Sequence, residues 1–301
     1  MRILIAGASG AIGRPLVRSL RANRHEIFAL SRSADPALFK ENDAEPVIAD
    51  ALDGAAVKAA IAKVRPDAVI NELTSLPKRY TPAEMAAGAE RDRKIRVEGN
   101  INLLAALRDA GVRRYVLQSS GFWYAPGALL AEESVPFISN ASPAVEASAC
   151  SYQEMEARAS ATPGIEFVAV RYGFLYGPGT WYTPQGDIGD QVRRQRMPII
   201  GAGQGVYSFV HVDDAAEATA AAVGCPPGAY NIVDGDPSPQ HLWLSAFARA
   251  SGAAAPPRVS EEEALRASGP DAVYYATRLR GASNEKARRE LEFRPRRLEW
   301  L

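Results

Sequence analysis

The sequence predicts an α/β fold built on a doubly wound parallel sheet, and three observations carry that reading. The first is Ile3-Leu4-Ile5-Ala6-Gly7-Ala8-Ser9-Gly10-Ala11-Ile12-Gly13, an apolar run followed by glycines three residues apart. A short, continuous, β-branched run suits a strand buried on both faces, and Arg14 to Arg21 then places apolar residues at helical spacing. The second is that strand and helix go on alternating along the chain, which requires a parallel sheet with its ligand beyond the strand C-termini. The third is Ser119-Ser120, which ends a strand pattern at that rim.

Bulk properties narrow the function classes. A chain of 301 residues with 47% hydrophobic content can bury a large core in one or two domains. Lys plus Arg and Asp plus Glu are 35 each, so neither nucleic acid nor an anionic membrane is an expected partner. No apolar run reaches about 18 residues, and the glycine motif starts too early to leave room for a signal peptide, so a cytoplasmic protein is expected. Cys150 and Cys225 are the only cysteines and read as unpaired thiols. No Cys/His cluster has metal spacing, and no metal is expected.

In order along the chain, Gly7 permits the tight turn, Gly10 lets backbone approach a pyrophosphate, and Gly13 lets helix and strand pack. Ser9, Ala11 and Ile12 complete that turn at the positive end of the first helix. With its flanking strand and helix, the motif is a dinucleotide site in a Rossmann-like sheet. His25 to Leu30 reads as the second strand and runs into Ser31-Arg32-Ser33. An NAD site places a carboxylate about 20 residues past the glycines, whereas NADP needs a cation there. Arg32 stands at that strand end, so NADP is expected in preference to NAD.

Pro46 to Asp50 reads as a third strand, and a helix starting at Ala51-Leu-Asp53 continues through Ala62. Asp53 suits an N-cap, while Asp50 and Ala51 fall near the adenine. Asp67 to Ile70 is a fourth strand ended by Asn71-Glu-Leu-Thr-Ser75, with Leu73 towards the cofactor. A long charged helix runs from about Glu84 to Ala110, Gly111 stops it, and Glu90 to Lys94 reads as a solvated face. Arg114 to Gln118 is the fifth strand, which puts Gln118 and Ser120 near the nicotinamide end.

Taken in order, these segments resemble the extended short-chain dehydrogenase/reductases, the superfamily of nucleotide-sugar epimerases and dehydratases. The resemblance is carried by the glycine fingerprint, Val97-Glu-Gly-Asn100, Val116-Leu-Gln-Ser-Ser120, Arg171-Tyr-Gly-Phe-Leu-Tyr-Gly-Pro178, Phe209-Val-His-Val-Asp-Asp214, Tyr230-Asn-Ile232, and Asn284 to Leu291 before Arg294-Pro295. It covers nearly the whole chain. It implies a nucleotide domain over 1–175 and a smaller, discontinuous α/β substrate domain over 176–301, with a helix near 212–223 packing back on the first. It also implies a homodimer built from the Glu84 to Ala110 helix and the helix carrying Glu156.

The same resemblance exposes a gap in the chemistry. The family uses a tyrosine as proton donor or acceptor, a lysine four residues later that lowers its pKa and holds the ribose, and a serine or threonine that orients the carbonyl. Free tyrosine titrates near about 10, so it needs that cation. Here Tyr152-Gln-Glu-Met-Glu156 puts an acid in the lysine's place, the wrong sign for a base. In a second register Glu156 is the glutamate that usually follows the lysine by four, Tyr152 takes the lysine's place and Ser148 the tyrosine's. Both registers remain open, and both lack the Tyr/Lys dyad, which marks an atypical member. Ser120 matches the serine position in each and, with Tyr152, completes the candidate catalytic set.

Substrate positions depart as well. Tyr207 and Phe174 stand where the sugar enzymes usually carry an Arg and an Asn. Losing the phosphate-pairing fork removes a contact worth roughly 1.5 to 3 kcal/mol, which argues against a nucleotide sugar. Phe122, Trp123, Tyr124, Trp181 and Tyr182 add aromatic surface and point to an aromatic or apolar small molecule. His211 has no catalytic role in the family, Asp213 and Asp214 suit helix capping, and Cys150 has no base beside it. The expected function is NADP-dependent reduction of a hydrophobic or aromatic carbonyl or conjugated substrate. The alternatives are a non-redox lyase, isomerase or cyclase, and a silent NADP-binding sensor or scaffold.

Overall fold

A computed structural model of the chain describes residues 1–32 and 44–301. Seven parallel strands form the central sheet: β1 (Arg2–Ala6), β2 (Glu26–Ser31), β3 (Glu45–Ile48), β4 (Ala68–Asn71), β5 (Arg114–Ser120), β6 (Glu166–Tyr172) and β11 (Gly228–Ile232). Their order is β11-β6-β5-β4-β1-β2-β3. Ile3, Leu4 and Ile5 have no exposed surface, as a strand covered on both faces requires. One cover is α1 (Gly13–Ala22) with α6 (Val212–Ala222). The other is α2 (Gly54–Val64), α3 (Pro82–Ala110) and α4 (Pro143–Ala161).

Local signals set several boundaries. Asp53 caps α2 by accepting the Ala55 and Ala56 amides at 3.0 Å each, and Thr81 Oγ1 accepts the Glu84 amide at the start of α3. Asp213 and Asp214 do not cap α6. His211 takes the N-cap position and its Nδ1 accepts the Asp213 amide, while buried Asp214 accepts the Arg296 amide and Nε at 2.8 and 2.9 Å. A partner 82 residues away claimed the carboxylate.

The remaining elements are β7 (Phe174–Tyr176), α5 (Asp187–Arg193), β8 (Ile199–Ile200), β9 (Val206–Tyr207), β10 (Phe209–His211), β12 (Ser238–Pro239), α7 (Gln240–Ala250), β13 (Arg258–Val259), α8 (Glu261–Ser268), α9 (Pro270–Arg278) and α10 (Glu285–Glu290), the last packed along β11. They enclose a separate core rich in aromatic rings, centred on Phe174, Tyr207, Phe209 and Trp243. β11 falls after the 175/176 division yet joins the nucleotide sheet against β6, since strand pairing depends on partners far away in sequence. No described helix is long and apolar enough to cross a membrane.

A buried ion pair ties these layers together. Glu156 of α4 accepts Arg171 Nε at 2.9 Å and Nη2 at 2.6 Å, and also the Ser119 hydroxyl at 2.5 Å. Arg171 Nη1 reaches the Tyr124 hydroxyl and the Glu133 carbonyl, and the Tyr124 hydroxyl in turn donates to Asn231 of β11. Glu156→Ala strands the guanidinium in a dry site, and breaking such a pair costs about 3 to 5 kcal/mol. Urea unfolding is expected to show a loss of that order, with the double variant Glu156→Leu, Arg171→Met recovering most of it.

Candidate functional site

The glycine turn is shaped by backbone contacts. Gly7 has φ 96°, and the Gly10 amide donates to its carbonyl at 3.0 Å. A Cβ on Gly13 would lie 2.4 Å from the Gly7 oxygen, whereas one on Gly10 would meet only that oxygen, at 3.3 Å. The outer side of Gly10 is therefore open to a ligand. α1 begins with Ile12 at its N-cap, no capping side chain and no acid in its first turn, so its positive end is free for an anion. Arg14 Nε donates to the Ser9 carbonyl and pins the turn. Gly179, just after β7, comes within 3.7 to 3.9 Å of Ala11, measured from a Cβ built on it.

The other cofactor candidates line up along the strand ends. Arg32 is exposed at the end of β2, and Ser33 lies outside the described residues. Asp50 is exposed and its Oδ1 accepts the Leu52 amide. Leu73 and Ala51 converge over Gly99 of α3, where a Cβ would meet them at 3.1 and 3.6 Å. Gln118 is buried and its Oε1 has no partner. An open glycine turn at a helix N-terminus, with a buried unpartnered acceptor on β5 of the same sheet, fits a dinucleotide.

The orientation of α4 decides what faces that site. Glu156 is bonded to β5 and β6, so it does not look at the cofactor turn, which is the condition for the register with Tyr152 in the lysine's place. Ser148 is half-buried one turn earlier. Tyr152 is buried, its ring 5.5 Å from that of Trp123 and 4.9 Å from Arg96 Cζ. Burial pushes the phenol up to about 12 even though Arg96 pulls it down. Ser120 Oγ receives only a 3.5 Å contact from the Phe122 amide, and no hydrogen bond joins it to Tyr152.

Two charged side chains that sequence reading passed over stand beside this pair. Arg96 donates through Nε to Asp92 at 2.7 Å, and its Nη1 is buried without a partner. Asp92 accordingly turns inward from the otherwise exposed Glu90 to Lys94 stretch. Glu72, at the end of β4, accepts the Tyr172 hydroxyl at 2.7 Å. Burial raises its carboxyl to about 8, opposed by Tyr172 and Arg96. Arg96 falls in phase with Asn100, Leu103, Leu104 and Leu107, all buried, and that phasing was the available signal for it. Glu72 carried none beyond its place at a strand end.

Most of the aromatic candidates come together. Phe174 stacks on Phe122 at 4.3 Å and lies 4.5 Å from Tyr207 and 5.9 Å from Tyr182. Trp123 borders Phe122 at 4.6 Å and donates to the Tyr275 hydroxyl at 3.0 Å. Trp181 stacks with Tyr80 at 4.9 Å and donates to the Pro77 carbonyl. Asp187 and Gln191 of α5 bind the Tyr80 amide and carbonyl, strapping this loop to the aromatic core. Tyr124 lies apart from the cluster, because its hydroxyl belongs to the Arg171 and Asn231 network. Tyr80 and Tyr275 reach the cluster from distant segments and left no local signal.

A nucleotide-binding turn on a parallel sheet, with a packed aromatic cluster in the second core, fits an oxidoreductase of the short-chain dehydrogenase/reductase type. Residues 3–232 match the model of the NAD dependent epimerase/dehydratase family, and the chain belongs to that family. It is 39% identical, over its full length and 98% of the relative, to a 3-diazoavenalumate denitrifying reductase of a Streptomyces species. It is 28% identical to a 2-alkyl-3-oxoalkanoate reductase of Stenotrophomonas maltophilia, over 87% of this chain and 78% of that one. The UDP-glucose 4-epimerase of Thermus thermophilus, solved with NAD, superposes with a TM-score of 0.72 at 25% identity, covering 98% of this chain and 94% of that one.

Glu72 makes stability depend on pH. A carboxyl whose pKa rises on folding, here from 4.5 to about 8, contributes fully below the lower value, and its contribution is lost as pH climbs towards the higher. Glu72→Gln keeps an acceptor for Tyr172 and removes the titration. Its Tm is expected to exceed the parent's at pH 8 and to equal it near pH 4.5, and an identical offset at both would refute the assignment.

Proposed function

We propose that the protein is an NADP-dependent reductase that directs hydride to an aromatic or hydrophobic small-molecule electrophile, in a site with no activated phenol to supply a proton. The observation that carries this is the face of α4, where Tyr152 is buried and its phenol pushed up to about 12, with no lysine four residues on to lower it. The reduced nicotinamide would supply the hydride. The chain's part is to hold the cofactor at the glycine turn and to seat the acceptor against Phe122, Phe174 and Tyr207, with the Tyr80 to Asp187 strap limiting water.

The relative named for a diazo substrate suggests an acceptor class that suits such a site. When hydride adds to an aryl diazonium carbon, a C–H bond forms, the C–N bond breaks, and its electron pair leaves with dinitrogen. Atoms and charge balance without any proton. A ketone, by contrast, needs one, and losing general-acid catalysis costs typically ~10²- to 10⁴-fold. Aromatic diazo compounds are therefore favoured over aryl ketones, enones and quinones.

NADPH oxidation across that panel is the test. Turnover is expected with aryl diazo compounds, accompanied by nitrogen release, and silence across the whole panel would instead favour a non-redox reaction or a silent NADP-binding protein. Tyr152→Phe is expected to reduce any turnover by less than about tenfold, because a donor worth more is not in place. Arg32, exposed at the end of β2, supports NADP over NAD. Calorimetry is expected to show NADP(H) binding at least about ten times tighter, with Arg32→Ala abolishing the difference. The side-by-side helices α3 and α4 are the proposed homodimer face, which a monomer mass in light scattering would exclude.

A further inference from the structure

Arg96 is a buried cation whose hydrogen bonding is incomplete. Its side chain is only 6% exposed, Nε is bonded to Asp92, and Nη1 has no acceptor. Asp92 is itself fixed by the Ser75 amide at 2.5 Å, so the guanidinium is oriented from behind. Leaving a buried donor unsatisfied is unfavourable, and such atoms mark a missing partner.

Its neighbours say which partner. Arg96 Cζ lies over the Tyr152 ring, and Tyr152 stands on α4 where the family's ribose-holding lysine is expected. Arg96 is also within electrostatic reach of Glu72, whose carbonyl packs against Gly7 closely enough to meet a Cβ there at 2.6 Å. The unpartnered Nη1 thus belongs to a side chain that touches Tyr152 of α4 near the end of β4. We propose that Arg96 supplies from α3 the cation that α4 lacks, and that its Nη1 bonds a ribose oxygen in the nicotinamide half of the cofactor. A guanidinium cannot give up its proton at any working pH. Arg96 thus holds the cofactor without relaying protons, as a positioning residue.

This inference rests on the dinucleotide site and is independent of the substrate reduced. It is tested on the full chain by calorimetry with NADPH and with 2′,5′-ADP, a fragment lacking the nicotinamide half; should the protein prefer NAD, NADH and 5′-ADP replace them. Arg96→Gln is expected to weaken NADPH about tenfold or more while leaving the fragment within about twofold. Fragment binding also shows that the variant is folded. Arg96→Lys is expected to lose less than Arg96→Gln, with the same indifference to the fragment, and serves alone if the glutamine variant does not fold. Equal losses for NADPH and fragment would make Arg96 a structural prop, and no loss for either would also overturn the proposal.

Discussion

The bidentate pair between Glu156 and Arg171 fixes how α4 is rotated against the sheet. A carboxylate with three donors on β5 and β6 cannot turn towards the cofactor, and removing it from those donors would leave a charge buried and unpaired. Every other feature of α4 follows at helical spacing. Tyr152, one turn before Glu156, is directed at Arg96 and Trp123, and Ser148 a turn earlier. Arg171 carries the constraint further, through Tyr124 to Asn231, which links α4 to β11.

With α4 so fixed, charge in the site has been redistributed. On α3 the buried Arg96 is held by Asp92, and burial of the nearby Glu72 carboxyl raises its pKa to about 8. Beside the open amides of α1 this arrangement keeps negative charge away from where phosphates bind. It gives the reaction little acid–base help. The aromatic cluster around Phe174 is bordered by the Tyr80 loop, which Asp187 and Gln191 of α5 hold in place.

The sequence by itself determined the sheet, its helices and the phosphate turn. Those follow from patterns within a few residues: a buried apolar run, a glycine turn between strand and helix, Asp53 as a cap, Gly111 as a stop. Tyr207 and Phe174 were likewise legible as aromatic residues, and the structure brings them into contact. The tertiary structure alone decided what depends on partners far along the chain: that Glu156 faces Arg171, that Tyr124 belongs to that network while Tyr80 and Tyr275 belong to the aromatic cluster, that Asp214 pairs with Arg296, and that an arginine on α3 reaches the tyrosine on α4. The physical reason is that backbone hydrogen bonding and side-chain periodicity are local, whereas the pairing of buried charge is settled only when separate elements have docked.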